Sequence, residues 1–561
     1  MKNILIAIRS IFKKGRHNVM KIVSLGIGLA VGLVLIAKVY FEQSYDDFYP
    51  DRDRVYQVWA KYQQNGGELK DYPQTSGGIP PTMQQQIPEI ETVTRYTSFG
   101  DWTFTMTDTK MKYSGRCIIA DSCFFDILPR PMLIGNAKEV LSTPMYVLIS
   151  SRIAKNIGGD VIGKNFTVDN SPGRTMTIGG VFEEVPENSH SRYDVIVSMA
   201  SAGRFMWEGS PTNMLGNDRY ISYVKLHKGV NPLALEEQVR TFVNSYFPPE
   251  EQQKVGLSID FSFHKLDNLH KELPQVKRMT WILSLLAFAL IFTAVMNYIL
   301  IVISSIVNRS KEVAVHKCYG ASENNIHGMM FGEALVHIVL SLILALLLIL
   351  AFRGTVEELL ATSLDSLLLS NGSLVLLGIC ILVFFVSGFM PGSLYARIPV
   401  ASAFRNYREN KRIWKKALLL VQFVATGFLV TMLVFVARQY TFMVNDRPGY
   451  AYENLAYCGL AGVDSTSRAK ILDEVMRLPG VAAATTVYQL PFEHASGNNI
   501  LLPGGTQELF NIADLYWVGN GYLDMMEIPV IQGRSFTENV TNSREVMVDR
   551  RFVEKMKLVA G

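Results

Sequence analysis

The sequence contains few residues of the kinds that carry enzymatic chemistry. Its nine histidines show no H-E-x-x-H or other metal-ligand spacing, and it has no G-x-S-x-G nucleophile elbow. Residues 158–165 nearly match the phosphate-binding loop G-x-x-x-x-G-K-S/T, but Asn165 stands where a hydroxyl would hold Mg²⁺. We therefore expect a turn there, and we predict no catalytic residue, no metal site and no cofactor bound by the chain itself.

Cysteine is scarce as well, with five residues in the whole chain. Cys117 and Cys123 are close enough in sequence to pair in an oxidising compartment. Isolated buried thiols are the alternative, and the sequence leaves both arrangements open.

Long hydrophobic runs are abundant instead, because 49% of the residues are hydrophobic and they are concentrated in a few blocks. A membrane-spanning helix needs about 20 mostly apolar residues, whereas buried core helices usually have fewer. The first block ends without a small-x-small cleavage site, so an uncleaved anchor is predicted rather than a signal peptide. The predicted spans are Ile22–Tyr40, Met279–Val307, Met329–Phe352, Leu374–Tyr395 and Ala417–Ala437.

The charges of the short connecting segments predict the orientation of these spans. Residues 1–21, 308–328 and 397–416 together hold sixteen basic and three acidic side chains, although the whole chain has a net charge of only +4. Basic loops stay in the cytoplasm, so the N-terminus is predicted inside and both long segments outside. The long segments are then net acidic, which argues against nucleic acid as a partner. Residues 2–14 carry an apolar stripe, which is typical of a helix lying on membrane lipid.

The first long segment has the pattern of a mixed α/β domain. Short runs rich in β-branched and aromatic residues alternate with turn residues, and the stretch Pro232–Tyr246 has helical character. The runs predicted as strands are Val55–Trp59, Val93–Thr97, Thr103–Thr107, Val147–Ile149, Thr175–Phe182 and Tyr220–Lys225.

The second long segment repeats part of the first, and each copy follows a membrane span. The second copy stops before the spans that follow the first, so we expect a truncated chain or another half encoded elsewhere. The predicted fold class is a polytopic α-helical membrane protein with mixed α/β extracytoplasmic domains and two tandem permease-type repeats, the second truncated. The matching segments, in order, are 88–93 with 479–484, 125–135 with 523–533, and 147–155 with 546–554.

Three polar residues lie within the predicted spans: Asn297, Glu333 and His337. Ionisable groups inside a membrane are functional candidates by default. Glu333 and His337 are four residues apart, where they can pair with each other or reach water. The three polar residues could serve helix packing and interfacial anchoring, or they could form a proton or ion path. A secondary transporter would need more charged residues at mid-membrane.

The inner loop 308–322 has the sharpest local pattern. A charged helix is predicted to end at Gly320, which can adopt the left-handed backbone conformation. Ser322 then suits the N-cap of the next helix, and Glu323 is favourable in its first turn. The loop is therefore predicted to form a two-helix elbow at the cytoplasmic surface, with a connector of no function as the alternative.

Nine residues of this loop have a distinctive spacing: Arg309, Lys311, Glu312, Val313, Val315, Lys317, Gly320, Ala321 and Ser322. With Glu333 downstream, the pattern resembles the signature of FtsX/MacB-type ABC transporter permeases. The stretches Phe124–Asp126, Ile178–Phe182 and Pro186–His190 likewise resemble the MacB-like periplasmic core domain that precedes this permease module. His316 departs from the pattern, since the family often has arginine there.

The resemblance implies a role as well as a fold. A separate cytoplasmic ABC ATPase, acting as a dimer, would bind the nine loop residues, and that partner would hold ATP and Mg²⁺. Its closure would push the membrane helices and move the outer domains, for export or other envelope work. The resemblance also leaves room for a periplasmic adaptor or an outer-membrane component as a partner. The implied location is the bacterial inner membrane.

The competing function is a membrane-anchored sensor of an extracytoplasmic ligand, although the short inner loops leave no room for an output domain.

The predicted organisation has seven segments. They are a cytoplasmic amphipathic helix at 1–21, a membrane helix at 22–41, a periplasmic MacB-like α/β domain at 42–274, an FtsX-like permease module with three membrane helices at 275–396, a basic cytoplasmic loop at 397–416, a membrane helix at 417–437 and a second, incomplete periplasmic domain at 438–561.

Overall fold

A computed structural model describes residues 17–556 with short gaps, and it divides the chain into two units, 1–433 and 434–561. The predicted amphipathic helix at 2–14 and most of the basic loop at 397–416 lie outside the described residues. The gaps are at 65–66, 170–172, 217, 370–371, 402–412, 446–448, 461–462, 492–495, 502–507 and 537–544.

The first unit contains a mixed α/β domain, as predicted. Its strands are β1 Val55–Gln64, β2 Lys70–Tyr72, β3 Ile90–Met106, β4 Lys112–Ala120, β5 Met132–Ile134, β6 Tyr146–Ser150, β7 Asn165–Val168, β8 Thr175–Phe182, β9 Val195–Ser198, β10 Ile221–Leu226 and β11 Leu257–Lys265. They form one sheet in the order β11-β1-β10-β3-β4-β9-β6-β8-β5, with β2 beside β1 and β7 beside β3 and β8. Most neighbours are antiparallel, but β4 runs parallel to β9 and β6 parallel to β8.

Strand β3 joins two runs that were predicted as separate strands, Val93–Thr97 and Thr103–Thr107. The predicted break is wrong, because the strand continues through an irregularity between Ser98 and Asp101. Gly100 lies within it at φ 73°, a backbone conformation that glycine adopts without steric cost. The bulge therefore changes the register of β3 without ending it.

The helices of the first unit flank the sheet or lie in the membrane part. The predicted helix at Pro232–Tyr246 begins as a 3₁₀ turn, Pro232–Leu235, which the α-helix Glu236–Tyr246 follows. The helices are α1 Asn18–Gln43, α2 Ile79–Gln86, α3 Phe124–Ile127, α4 Ala137–Ser142, α5 Ser151–Ile157, α6 Ala202–Phe205, α7 Glu236–Tyr246, α8 Pro249–Val255, α9 Leu269–Glu272, α10 Pro274–Ser304, α11 Ile306–Cys318, α12 Glu323–Ala351, α13 Arg353–Leu360, α14 Leu364–Leu368, α15 Ser373–Ala396 and α16 Ile413–Asn445, which continues into the second unit.

Five helices in the described part of the chain are long and apolar enough to cross a membrane: α1, α10, α12, α15 and α16. They coincide with the five predicted spans. Helix α10 ends at Ser304 rather than at the predicted Val307. The next residue, Ser305, donates its hydroxyl proton to the Val302 carbonyl at 2.6 Å and separates α10 from α11.

Helices α1 and α10 pack closely because two glycines of α1 lie at their interface. A Cβ atom on Gly28 would be 2.2 Å from Cβ of Ala294, and one on Gly32 would be 2.4 Å from Cγ1 of Ile291. Small residues allow such an approach in a membrane, where helices associate through packing rather than the hydrophobic effect. Buried apolar residues of α1, α10, α12 and α15 form one core.

The second unit contains two antiparallel strands and short helices. Its elements are α17 Ser465–Met476, β12 Ser496–Leu501, β13 Glu508–Leu515, α18 Tyr522–Met525 and α19 Arg550–Met556.

The two cysteines considered for a disulfide are both free thiols. Cys117 is buried in β4, whereas Cys123 is partly exposed at the start of α3.

The phosphate-loop-like segment at 158–165 is a turn, as predicted. Gly158, Gly159 and Gly163 all have positive φ there.

Candidate functional site

The predicted elbow is present at residues 306–322. Helix α11 ends at Cys318, and Gly320 follows with φ 88°. The amide of Gly320 donates to the Lys317 carbonyl, and the amide of Ala321 donates to the His316 carbonyl, both at 3.0 Å. These bonds satisfy carbonyls that the helix end would leave unpaired, so a left-handed glycine closes α11 as predicted.

The second arm of the elbow begins at the predicted cap. The Ser322 hydroxyl accepts a hydrogen bond from Asn325 N at 3.4 Å, and Glu323 lies in the first turn of α12. A capped amide and an acidic first turn both stabilise a helix start. The local backbone of the elbow was therefore predictable from sequence.

A buried ion pair fixes α11 to α12. The Arg309 guanidinium donates two hydrogen bonds to the Glu333 carboxylate, at 2.8 and 2.7 Å. Arg309 is 4% exposed and Glu333 is 7% exposed. Such bidentate pairs are strong and geometrically specific. Arg309 was predicted in the coupling loop and Glu333 in a membrane span, and the structure brings them together.

Helix α15 contacts the same pair through Tyr395, a residue that was not among the predicted site residues. The Arg309 guanidinium lies over the Tyr395 ring, 5.4 Å from its centroid. The Tyr395 hydroxyl donates to the Val302 carbonyl at 2.9 Å and lies 3.1 Å from the Ser305 hydroxyl. A tyrosine near the end of an apolar span was the available signal, because buried tyrosines usually find a hydrogen-bond partner.

Lys317 attaches the other end of α11 to α15. Its ammonium donates to the Ala396 carbonyl at 2.6 Å and to the Ile398 carbonyl at 2.9 Å. A cation is favourable at carbonyls that end a helix. Val313 is fully buried in the core of the membrane helices. These two predicted coupling residues therefore make internal contacts.

The remaining elbow residues form a surface. Val315 is 43% exposed and Tyr319, four residues later, is 88% exposed. Residues four apart lie on one side of a helix, so these two form an exposed apolar pair. Tyr319 was not among the predicted site residues, since its position in the pattern carries no fixed residue type. The predicted residues that are exposed or partly exposed are Lys311, Glu312, Val315, Lys317, Gly320, Ala321 and Ser322.

The other polar residues of the spans also contact neighbouring helices. His337 Nδ1 lies 3.2 Å from the Tyr298 hydroxyl, and both residues are buried. The Asn297 side-chain carbonyl accepts a hydrogen bond from Gln422 of α16. Both contacts join neighbouring helices. Among the residues described, no group of three or more histidine, cysteine or acidic side chains is arranged to hold a metal ion.

Two family models match adjacent parts of the chain. The MacB-like periplasmic core domain matches residues 20–242, and the FtsX-like permease C-terminal domain matches residues 284–400. They occur in the predicted order, and the second includes the elbow. No curated protein matches the chain significantly.

Two solved structures are similar to part of the chain. A domain of a protein described as a permease, from Porphyromonas gingivalis, is 32% identical, with 39% of this chain and 91% of that domain covered and a TM-score of 0.36. The extracellular domain of the noncanonic ABC-type transporter YknZ, from Gram-positive bacteria, is 11% identical, with 36% and 98% covered and a TM-score of 0.27.

Proposed function

Because the chain belongs to the FtsX/MacB-type ABC transporter permeases, we propose that it transmits the work of a separate cytoplasmic ATPase to its extracytoplasmic domains. The chain is an ABC transporter permease subunit, a membrane protein with a MacB-like extracellular domain. Family membership implies a cytoplasmic ATPase as partner. We propose in addition that the elbow couples ATP hydrolysis by this partner to export or other work in the cell envelope.

The observation that best supports coupling is an exposed surface on a helix that is bonded to two membrane helices. Arg309 and Lys317 hold α11 to two membrane helices, while Val315 and Tyr319 remain exposed. Exposed aromatic residues beside charged ones are typical of binding sites. A partner that pushed on Tyr319 would therefore displace the helices themselves.

The nine predicted coupling residues divide into two groups. Arg309, Val313 and Lys317 hold the elbow in place. The others, joined by Tyr319, would contact the ATPase dimer, which would itself hold ATP and Mg²⁺. Lys311 would attract acidic groups of the partner, and the glycine turn at Gly320 gives close access to the backbone.

The orientation follows from loop charge. We propose that the N-terminus and the elbow are cytoplasmic, and that the segments 42–274 and 438–561 lie in the periplasm above a bacterial inner membrane. The apolar outer faces of the spans would contact lipid. A periplasmic adaptor or an outer-membrane component would bind the domains there.

We also propose that the segment 438–561 is a second copy of the MacB-like domain. Asp126 and Gly135 are separated by the same interval as Asp524 and Gly533, and the two glycines have similar left-handed φ values of 86° and 90°. The short helices α3 and α18 each include the aspartate of the pair. These similarities support a tandem repeat.

Co-purification with the ATPase tests the proposed function. The chain is expressed together with a candidate Walker-motif ATPase from the same organism, and captured from detergent-solubilised membranes. Tyr319→Ala should lose most of the ATPase, because the exposed contact is removed without disturbing the core. Tyr488→Ala, at a 75%-exposed tyrosine of the second unit, is the matched control and should retain it. Full retention by Tyr319→Ala and by Lys311→Glu would contradict the assigned surface.

A further inference from the structure

Beyond α1, the chain enters the α/β domain through a turn held by a buried carboxylate. Asp46 is 1% exposed and has a left-handed backbone at φ 57°. Its carboxylate accepts hydrogen bonds from the Ser189 hydroxyl at 2.7 Å and from the His190 ring Nδ1 at 2.5 Å. Asn188 completes the contact, since its side-chain amide donates to the Ser44 carbonyl at 2.7 Å.

A second buried carboxylate, that of Glu42, lies one turn earlier, on α1 itself. It accepts a hydrogen bond from the His270 ring Nε2 at 2.5 Å, and its other oxygen is 2.7 Å from the Lys38 ammonium. Lys38 in turn donates to the Thr362 hydroxyl at 2.8 Å. The last turns of α1 are thereby bonded to α9 and to the loop between α13 and α14.

An aromatic ring connects the two histidines. Tyr45 stacks on His270, with ring centroids 3.6 Å apart and planes 10° apart, and meets His190 edge-on at 5.1 Å. The two imidazole rings are themselves 5.4 Å apart. We call Glu42, Tyr45, Asp46, His190 and His270 together the joint.

The segment 186–191 also contacts the loop between α13 and α14. The Glu187 carboxylate accepts a hydrogen bond from Ser363 N at 3.0 Å. This segment contains the Pro186–His190 stretch, to which the family resemblance assigned no role. It therefore contacts the end of α1 and, at the same time, the segment that joins the membrane helices α12 and α15.

We propose that the joint delivers movement of the membrane helices to the α/β domain, with His190 and His270 as positioning residues. This inference rests on the proposed function and adds the contacts through which movement of the membrane helices reaches the α/β domain. Chain connections alone, at Ser44 and Leu273, would allow the domain to pivot. Buried charge-assisted hydrogen bonds are short and directional, so they hold the domain at a fixed angle to α1. A shift of α1 then moves the domain as a unit.

Distance measurements between spin labels test the joint in the full chain with its ATPase, in lipid nanodiscs. The labels are placed by Lys155→Cys on the α/β domain and Leu359→Cys on α13, in a background with the other exposed cysteines replaced by serine. One variant removes the donors by combining His190→Phe with His270→Phe. The matched variant combines His190→Asn with His270→Gln, whose amides keep a donor near Nδ1 and Nε2 respectively.

The wild-type chain and the Asn/Gln variant should give a narrow distance distribution that shifts when vanadate arrests ATP turnover. The Phe variant should give a broad distribution and lose the shift, although the ATPase still co-purifies with it. A narrow distribution with a full shift in the Phe variant would overturn the joint. If the Phe variant does not fold, Asp46→Asn replaces it, and an unchanged distribution in that variant would equally overturn the inference. Failure of the wild-type chain to bind the ATPase would count against the proposed function. The width of the distance distribution between the two labels, measured without nucleotide, would still test the joint.

Discussion

The Arg309 guanidinium and the Glu333 carboxylate, 24 residues apart in the chain, meet in a bidentate ion pair that is almost completely buried. The pair fastens the elbow to α12, and the Tyr395 ring beneath Arg309 fastens it to α15. A force applied at the exposed end of α11 would therefore reach the membrane helices instead of bending a loop.

Breaking this pair on one side should destabilise the protein severely. Glu333→Leu leaves the Arg309 charge buried without its carboxylate, which costs roughly 3–5 kcal/mol. Arg309→Met combined with Glu333→Leu should recover much of the loss, because no buried charge is left. Thermal unfolding in detergent micelles measures both variants. Equal midpoints for the single and double variants would show that the ion pair is not what holds the elbow.

The glycine contact between α1 and α10 should tolerate no added methyl group. Gly28→Ala places a Cβ against Ala294, and overpacking of this kind costs about 1–3 kcal/mol. Gly378→Ala, within α15 where a Cβ would meet nothing within 4 Å, is the control and should change stability little. Resistance to unfolding by denaturing detergent gives the comparison. A similar response in the two variants would argue against close packing at Gly28.

Cysteine labelling in intact cells should reveal the orientation. Cys318 of the elbow and Cys458 of the second unit are both exposed thiols. A membrane-impermeant maleimide should label Cys458 from outside and reach Cys318 only after the inner membrane is opened. Cys117 should stay unlabelled in both cases, since it is buried and burial raises the pKa of its thiol. Labelling of Cys318 from outside would reverse the proposed orientation.

The α/β domain should lose stability in acid through Asp51. Hydrogen bonds from Arg54, and then from Lys225, lower the pKa of Asp51 from 3.8 to about 2. A lowered pKa in the folded state stabilises the fold above the unfolded pKa, and this stability is lost as the pH falls toward about 2. The urea concentration at the midpoint of unfolding should therefore drop as the pH falls from 3.8 to about 2. The drop should be smaller in the Asp51→Asn variant, which has no carboxylate at this position. The effect should be small because the side chain is 36% exposed. Parallel pH profiles would contradict the assignment.

Local features of the fold were predictable from the sequence, whereas contacts between distant residues were not. The end of α11 at Gly320 and the cap at Ser322 depend on backbone chemistry within a few residues, so the pattern predicted both. The partner of Glu333 depends on how two helices rotate against each other, and sequence spacing suggested His337 rather than Arg309. The continuous strand β3 was missed because Gly100 suggested a turn where tertiary pairing produced a bulge.

The joint illustrates the same limit. Asp46 and His190 are 144 residues apart, and only the fold brings them together. The stretch around His190 carried a family resemblance without showing what it contacts. Its contacts with the end of α1 and the turn that follows depend on the tertiary fold.

Site-specific photo-crosslinking tests the central claim, that the elbow is the surface on which the ATPase acts. A photoreactive residue replaces Tyr319 in the full chain, and in a control it replaces Leu359, which is 78% exposed on α13. After illumination of whole cells, we expect a crosslinked product containing the Walker-motif ATPase from position 319 and none from position 359. Absence of the ATPase from the product at 319, or equal crosslinking at both positions, would contradict it.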